Sequence, residues 1–235
     1  MKKNIKKVLA LIFVFAVLAG CSAKEQAKDV TEVKNTVESA VNISDYITGA
    51  REDGTYYYAL TGDAYKDYEL KYSAVIGKDT VFLPISYGIF KSLGWEFKNE
   101  EYRNIELKPS ASTNVISVKD GKEIMVFIKN TNEDNIKCIN GTVCRVIINF
   151  YSKEDGYKSE LPAPGFKIDN GITESSNLEE IIAAVGEPNE ITYTPVDGKC
   201  AEITVMYKNS NNDWLKFVLA PDGSKIFAVD YSYGY

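Results

Sequence analysis

The clearest pattern in the chain is an alternation of apolar and polar residues near its C-terminal end. Every second residue is apolar from Ala201 to Tyr207, and the same period recurs over 214–219 and 227–233. Such alternation is typical of strands that bury one face. A polar loop at 209–213 and the turn residues Pro221-Asp222-Gly223 separate the runs. The sequence therefore predicts a three-stranded antiparallel meander.

A helical pattern precedes these strands. Its apolar residues follow the i, i+3, i+4, i+7 spacing of one helical face, and they are Leu178, Ile181, Ile182 and Val185. Ser176, followed three residues later by Glu179, has the spacing of a capping box. Gly186 and Pro188 are typical of a helix end. We predict a helix over 177–185 that packs its apolar face on the meander.

The part of the chain from Tyr46 to about residue 160 is rich in aromatic and β-branched side chains. Turn residues recur about every ten positions, which is typical of antiparallel strands. Ser86 is suited to cap a short helix that ends at Gly94. The predicted strands cover 67–76, 80–83, 114–118, 123–128, 136–139 and 142–151. The predicted fold class is α+β, with an antiparallel β-rich part over 46–160 and a helix-plus-three-strand module over 161–235.

The N-terminal residues differ from the rest of the chain in charge and hydropathy. Lysines at positions 2, 3, 6 and 7 precede an apolar run over 8–19, which is too short to span the ~30 Å hydrocarbon core of a bilayer as a helix. The segment Leu18-Ala19-Gly20-Cys21 follows. This order indicates a secretory signal over 1–20. A plain signal peptide with an incidental cysteine is the alternative interpretation.

The segment Leu18-Ala19-Gly20-Cys21 resembles the lipobox of bacterial lipoproteins. The resemblance implies that the Cys21 thiol is diacylated and that the chain is cut just before this residue. Two acyl chains anchor a protein stably, whereas one chain gives only marginal membrane binding. We therefore expect an extracytoplasmic protein that is held at the bacterial cell membrane by a diacylglyceryl group on Cys21.

The residues between Cys21 and Tyr46 are polar, rich in lysine and glutamate, and free of aromatic side chains. Valines at positions 30, 33, 37 and 41 give one weak helical stripe. A helix with so little apolar content is marginal in water. The sequence predicts a flexible tether over 21–45 that holds the folded part away from the membrane.

The charge of the chain limits its chemistry and its partners. Its 27 basic and 33 acidic residues give a formal net charge of −6, which becomes −10 once the four signal lysines are removed. This acidity argues against nucleic acid and against docking on anionic lipid. The absence of histidine excludes Ser-His-Asp and Cys-His catalysis and histidine zinc sites. The loop at 132–134 lacks the ligand spacing of a calcium-binding EF-hand, so we expect no cofactor and no metal.

Three cysteines remain after lipidation of Cys21. Cys138 and Cys144 flank Asn140-Gly141, a strong hairpin-turn pair, and an exported protein permits disulfides. A two-residue turn places these cysteines out of register, whereas a three-residue loop centred on Gly141 aligns them for a disulfide. The sequence leaves both arrangements open. Cys200 is expected to be a small buried hydrophobe, because no histidine is present to activate it.

A second resemblance rests on three short segments, Gly171-Ile172-Thr173, Leu178-Glu179-Glu180-Ile181-Ile182 and Gly186-Glu187-Pro188. Followed by strands, they resemble the repeat unit of β-lactamase-inhibitory-protein-like folds, which the small outer-membrane assembly lipoproteins share. The resemblance covers about 161–235 and implies a fold but no target-binding residue. The short helix before Gly94-Trp95 is also similar to uncharacterised lipoproteins of Gram-positive-type bacteria.

Two functional classes are compatible with these features. The anchor and the β-rich body favour a non-catalytic binding module for a protein or a cell-envelope component. Tyr231, Tyr233 and Tyr235 lie along one predicted strand face, where they either form the interface or cover the helix in an ordinary core. The alternative is a histidine-independent hydrolase with a Ser-Lys pair or two carboxylates, acting on an envelope substrate. No Gly-x-Ser-x-Gly motif occurs, so we expect the binding module and assign no catalytic residues.

Overall fold

The structure of the protein is a computed structural model. It describes residues 27–62, 65–68, 70, 73–168, 171–196 and 199–234. The signal, the lipobox with Cys21, and Tyr235 lie outside the described residues. Within them, the chain forms mostly antiparallel β-sheet with few helices, which confirms the β-rich prediction.

The strands are numbered in chain order. The first nine are β1 (Lys28–Asp29), β2 (Tyr46–Ala50), β3 (Tyr56–Leu60), β4 (Ser73–Ile76), β5 (Asp79–Phe82), β6 (Ile85–Ser86), β7 (Glu96–Phe97), β8 (Glu106–Leu107) and β9 (Ser112–Lys119). The others are β10 (Lys122–Lys129), β11 (Ile136–Lys137), β12 (Thr142–Asn149), β13 (Phe166–Ile168), β14 (Glu190–Val196), β15 (Lys199–Lys208), β16 (Trp214–Leu219) and β17 (Ile226–Ser232). The α-helices are α1 (Val30–Ala40), α2 (Tyr87–Ser92) and α3 (Leu178–Val185).

One large sheet organises the described part of the chain. Its strand order is β2-β3-β14-β15-β16-β17-β12-β10-β9-β7, with β1 added beside β15 and β6 beside β12. Strand β3 pairs with β14, and β12 pairs with β17, so the sheet runs through both predicted parts without a break. The boundary predicted near residue 160 therefore does not divide the sheet. Two smaller sheets, β13-β4-β5 and β11-β8, accompany it.

The C-terminal meander has four strands instead of the three predicted. Strand β14 was not predicted, and it contains Pro195, a residue that is unusual in the middle of a sheet. The pairing of β14 with β15 shifts register between Tyr193 and Pro195, and this irregularity accommodates the proline. The predicted alternation is confirmed in β15 and β16, where Ile203, Val205 and Phe217 are fully buried. In β17 every residue is buried, so the alternation predicted there does not separate a buried from an exposed face.

The three helices contribute to the same core as the sheet. Val37 of α1, Phe90 of α2 and Ile181 of α3 belong to one hydrophobic cluster with the inward side chains of the strands, and each is fully buried. Ser86 caps α2 as predicted, since its Oγ accepts a hydrogen bond from the Ile89 N–H over 3.3 Å.

Residues 30–40 do not form the flexible tether that the sequence predicts. They form α1, whose Asp29 cap accepts a hydrogen bond from the Thr31 N–H. Val33 and Val37 are fully buried, so the weak valine stripe faces the core. Intrinsic propensity alone makes this helix marginal, and tertiary packing of the stripe stabilises it. Residues 21–26 lie outside the described residues.

The capping box of α3 is one residue further along the chain than predicted. Asn177 is the cap, and its Oδ1 accepts from the Glu180 N–H over 2.9 Å. The Glu180 carboxylate accepts in return from the Asn177 N–H over 3.0 Å. Ser176 is instead buried and accepts from the Thr173 N–H. Gly186 ends the helix with a φ of 103°, as predicted.

The hairpin predicted at Asn140-Gly141 is absent from the structure. Residues Cys138–Asn140 form a 3₁₀ turn, and β11 pairs with β8 instead of β12. Gly141 has a φ of −84°, which is not the left-handed conformation that a two-residue hairpin needs. An added Cβ at Gly141 would lie 2.4 Å from Ile128 Cγ2. Glycine is required there for close packing.

Both faces of β17 are buried. On the face away from the core, Arg145 donates from Nε and Nη2 to the two carboxylate oxygens of Asp230, each over 2.7 Å. Lys216 lies 2.9 Å from the same carboxylate, and Trp214 donates to it over 3.2 Å. Burial by itself would raise the pKa of Asp230, but these cations outweigh it and lower that pKa.

Candidate functional site

A groove of about 370 Å³ opens between α1 and the edge of the large sheet. We call it the tyrosine groove. Its lining residues come from α1, from β2, from β3 and from β14, and they are Val30, Thr31, Lys34, Glu38, Thr48, Gly49, Ala50, Tyr56, Tyr57, Tyr58 and Tyr193. Four of these eleven are tyrosines, so the groove presents aromatic rings together with hydroxyl groups.

Helix α1 forms one wall. Its buried valines, Val33 and Val37, fix the helix on the core. Val30, Lys34 and Glu38 follow at intervals of four residues and therefore share a neighbouring face, which lines the groove. The Lys34 ammonium lies 3.7 Å from the Glu38 carboxylate, and both side chains are partly exposed. This wall thus offers one cation and one anion to a ligand.

The other wall is a row of tyrosines on strands β3 and β14. Tyr56 lies directly across from Tyr193, and the two rings stack with centroids 5.3 Å apart and planes 11° from parallel. Tyr193 is buried, whereas Tyr56 is 41% exposed. Cross-strand aromatic pairs of this kind stabilise a sheet. The buried ring therefore supports an exposed ring at the groove.

Small residues on β2 lie beside this row and leave the Tyr56 ring open to solvent. Across the β2–β3 pair, Ala50 lies opposite Tyr56, and Thr48 lies opposite Tyr58. Opposite residues of neighbouring strands project from the same face of the sheet. Because Ala50 and Thr48 are short and exposed, they leave space beside the aromatic row.

Tyr58 joins the two walls. Its hydroxyl donates to the Glu38 carboxylate over 3.4 Å. Burial raises the pKa of Tyr58, and the nearby Tyr193 and Glu38 raise it further. Tyr58 therefore stays protonated at neutral pH and remains a hydrogen-bond donor to Glu38.

The opposite face of the same strands makes them rigid. The Tyr57 ring covers Gly49, where an added Cβ would lie 2.7 Å from the Tyr57 hydroxyl. Arg51 lies over the Tyr57 ring at 5.7 Å and forms an ion pair with Glu190 over 2.7 Å. These contacts tie β2 to its neighbours, so the groove is a preformed site.

The tyrosines that the sequence selected as an interface lie elsewhere. Tyr231 is only 5% exposed and belongs to the core, so its prediction as an interface residue is wrong. Tyr233 is half-buried and packs against that core, and Tyr235 lies outside the described residues. Tyr231 thus lies in an ordinary core, which was the other interpretation of the pattern.

The three described cysteines are free and buried. Cys138 and Cys144 do not form a disulfide, because the hairpin that would align them is absent. Burial raises the pKa of the Cys138 thiol to about 11, and burial also raises the pKa values of Cys144 and Cys200. The thiolate is the reactive form of cysteine, so these thiols are poor nucleophiles at neutral pH.

Part of the aromatic lining of the groove can be recognised in the sequence. The triplet Tyr56-Tyr57-Tyr58 is visible in it, and alternation places the first and third tyrosine on one face of a strand. The contribution of Tyr193 was not predictable, since β14 was missed. The wall formed by α1 was not predictable either, because its residues were assigned to a tether.

Comparisons with known proteins found no match for the chain. No family model, no curated protein and no solved structure matches it. The resemblances to bacterial lipoproteins and to the inhibitory-protein fold stay predictions.

In the described part of the chain, no helix combines the length and the apolar character that a membrane span requires. In the same residues, no group of three or more acidic or cysteine side chains is arranged to hold a metal ion.

Proposed function

We propose that the protein is a membrane-anchored extracytoplasmic lipoprotein that acts as a non-catalytic binding module for a protein or a cell-envelope component. Its anchor is a diacylglyceryl group on Cys21, and its ligand site is the tyrosine groove. Nucleic acid is not among its partners, since the chain is acidic. The observation that carries the proposal is an exposed ring, Tyr56, held on a buried ring beside a Lys34–Glu38 pair.

The composition of the groove supports binding. Ligand sites are concave and mostly apolar, with a few polar groups that fix orientation. The tyrosine rings supply the apolar surface, and the carboxylate of Glu38 and the hydroxyl of Tyr58 supply the polar groups. Tyrosine is enriched at interfaces because it combines a large ring with a hydroxyl group at low entropic cost.

The α+β class belongs to the same proposal, with α3 packed on the C-terminal meander as the scaffold. Leu178 and Ile181 of α3 are buried in the common core. At the end of the helix, the Tyr207 hydroxyl donates to the Gly186 carbonyl over 3.0 Å. Both observations support docking of α3 on β15.

Crosslinking in intact cells tests the anchor and the groove together. Cys21→Ala should leave the protein unprocessed or released from the membrane, because the diacylated thiol is removed. Tyr56→Ala should leave it anchored but abolish its crosslinked partner. Tyr65→Ala removes a ring of similar exposure, 44%, outside the groove and should retain that partner.

Two results contradict the proposal. Membrane attachment of Cys21→Ala as firm as that of the wild type, after signal removal, contradicts the lipoprotein assignment. Equal crosslinking of Tyr56→Ala, Tyr65→Ala and the wild type contradicts the assignment of the groove.

A further inference from the structure

Strand β2 is the terminal strand of the large sheet and borders the tyrosine groove. Within the described residues it pairs only with β3. Its exposed side chains include Ile47 at 51% and Thr48. Natural edge strands are usually blunted by lysine, proline or a bulge, and β2, with the sequence Tyr-Ile-Thr-Gly-Ala, has none of these.

The direction of the free backbone groups follows from the pairing. In an antiparallel pair, alternate residues point their N–H and C=O groups towards the partner strand. The Arg51 N–H donates to the Thr55 carbonyl over 2.8 Å, so Gly49 and Ile47 also point towards β3. The backbone groups of Thr48 and Ala50 therefore point away from the sheet.

We propose that an extended segment of a partner protein adds to the sheet as a strand beside β2 and places a lysine or arginine side chain in the tyrosine groove. This inference rests on the groove being the ligand site. Strand addition takes its affinity from backbone hydrogen bonds and its specificity from pockets for alternate side chains. Thr48 and Ala50 supply the hydrogen bonds, and the groove is the pocket.

The geometry of the sheet places that side chain. A residue of the added strand opposite Ala50 projects from the same face as Ala50 and Tyr56. Because Ala50 is short, a long side chain reaches over it to the exposed Tyr56 ring. The added strand lies two strand spacings, or roughly 9.6 Å, from β3. A lysine or arginine side chain that extends over Ala50 covers most of this distance and brings its cation within about 6 Å of the Tyr56 ring.

The charges near the edge select a basic side chain. Exposed carboxylates lie at Asp45 before β2 and at Glu52 and Asp53 after it, and Glu38 lies in the groove. The Arg51 charge is neutralised by Glu190 over 2.7 Å, which leaves Lys34 as the opposing cation of the groove wall. A cation over a tyrosine ring is attracted by the ring face, so Tyr56 and Glu38 act on the same group.

The probe is a phage-displayed library of random decapeptides, selected on the full-length protein in detergent. We expect the bound sequences to be extended and to carry lysine or arginine. The best peptide is then synthesised, and its Kd is measured by fluorescence polarisation. Two series of N-methylated peptides then test the backbone contacts. Methylation of the alternate residues whose N–H groups face β2 should abolish binding, whereas methylation of the residues between them should leave binding unchanged.

Thr48→Pro removes one outward N–H and leaves the β2–β3 ladder intact, since proline is tolerated on edge strands. It should weaken the peptide about tenfold, as expected for one lost backbone hydrogen bond. Thr48→Ala keeps the N–H and is the matched control. Glu38→Gln should weaken binding about threefold, because it removes one partly exposed ion pair. Ala50→Pro replaces Thr48→Pro if the latter does not fold by circular dichroism.

The outcomes separate this inference from the proposed function. Strand addition is overturned if Thr48→Pro and both N-methylated series retain the peptide affinity while Tyr56→Ala loses it. The groove is then still a ligand site. Binding of wall oligosaccharides in place of peptides, again lost in Tyr56→Ala, likewise overturns strand addition and keeps the groove as a site. Self-association through β2, seen as a concentration-dependent mass, also overturns the inference. If no peptide binds, the inference fails.

Discussion

At the scale of single residues, the structure gives Gly141 a role that differs from the predicted one. Gly141 was predicted to form a hairpin turn, yet its φ of −84° is open to any residue. Glycine is required at this position because there is no space for a side chain. A Cβ would lie 2.4 Å from Ile128 Cγ2 and 3.2 Å from two backbone carbonyl oxygens. A sequence does not show which glycine will be approached by another strand, so this role was not predictable.

Replacement of Gly141 therefore tests the packing around it. Gly141→Ala should destabilise the protein by about 1–3 kcal/mol, because overpacking forces the surrounding backbone to move. Gly88→Ala is the control: this glycine lies in α2 with open space around it, and alanine there should stabilise the protein by roughly 0.5–1 kcal/mol. Urea midpoints at equal slopes measure both effects. Equal midpoints for the two variants would contradict the close approach.

At the scale of elements, the regular periodic patterns were predicted correctly. The alternation in β15 and β16 and the apolar face of α3 were both correct, because burial of one face sets the period. Errors arose where tertiary contacts decided the outcome. Helix α1 needs the core to stabilise it, and β14 contains Pro195, which is tolerated at an irregular pairing. Five of the eleven residues that line the groove come from these two elements, and that part of the site was not predictable.

Substitutions in α3 test the docking of this helix. Ile181 is fully buried, so Ile181→Ala should cost roughly 2–5 kcal/mol. Glu180 completes the capping box through the Asn177 N–H, and Glu180→Ala should cost about 0.5–1 kcal/mol. The exposed Glu179 is the better neutral control, with a change within about 0.5 kcal/mol. Ile181→Ala as harmless as Glu179→Ala in chemical denaturation would mean that α3 is not docked.

At the scale of the whole molecule, buried tyrosines link stability to alkaline pH. Burial raises the pKa of Tyr87 to about 12, and burial with the nearby Glu187 charge raises the pKa of Tyr68 to about 12. The pKa values of Tyr46, Tyr157 and Tyr207 are raised as well, first of all by burial. Tyr46, Tyr87 and Tyr207 belong to one hydrophobic cluster, and Tyr68 packs against it, so their ionisation affects this core as a unit.

The direction of this effect follows from the tyrosine pKa values in the unfolded and in the folded protein. An unfolded tyrosine has a pKa near 10, below the folded values. The contribution to stability is therefore fully present below about pH 10 and is lost as the pH rises towards 12. Absorbance at 295 nm should report cooperative tyrosine ionisation that coincides with the loss of near-ultraviolet circular dichroism. Complete ionisation near pH 10 with an unchanged circular dichroism spectrum would refute this prediction.

The few residues between Cys21 and the first described strand limit how far the groove lies from the proposed membrane anchor. Strand β1 is already paired at Lys28, opposite Cys200, and α1 follows at once. With Cys21 anchored as proposed, the seven residue steps to Lys28 reach at most about 25 Å. Under that proposal the groove, whose lining begins at Val30, lies close to the lipid headgroups. A partner that is itself attached to the membrane would meet the groove at a raised effective concentration, so a weak site would suffice for it.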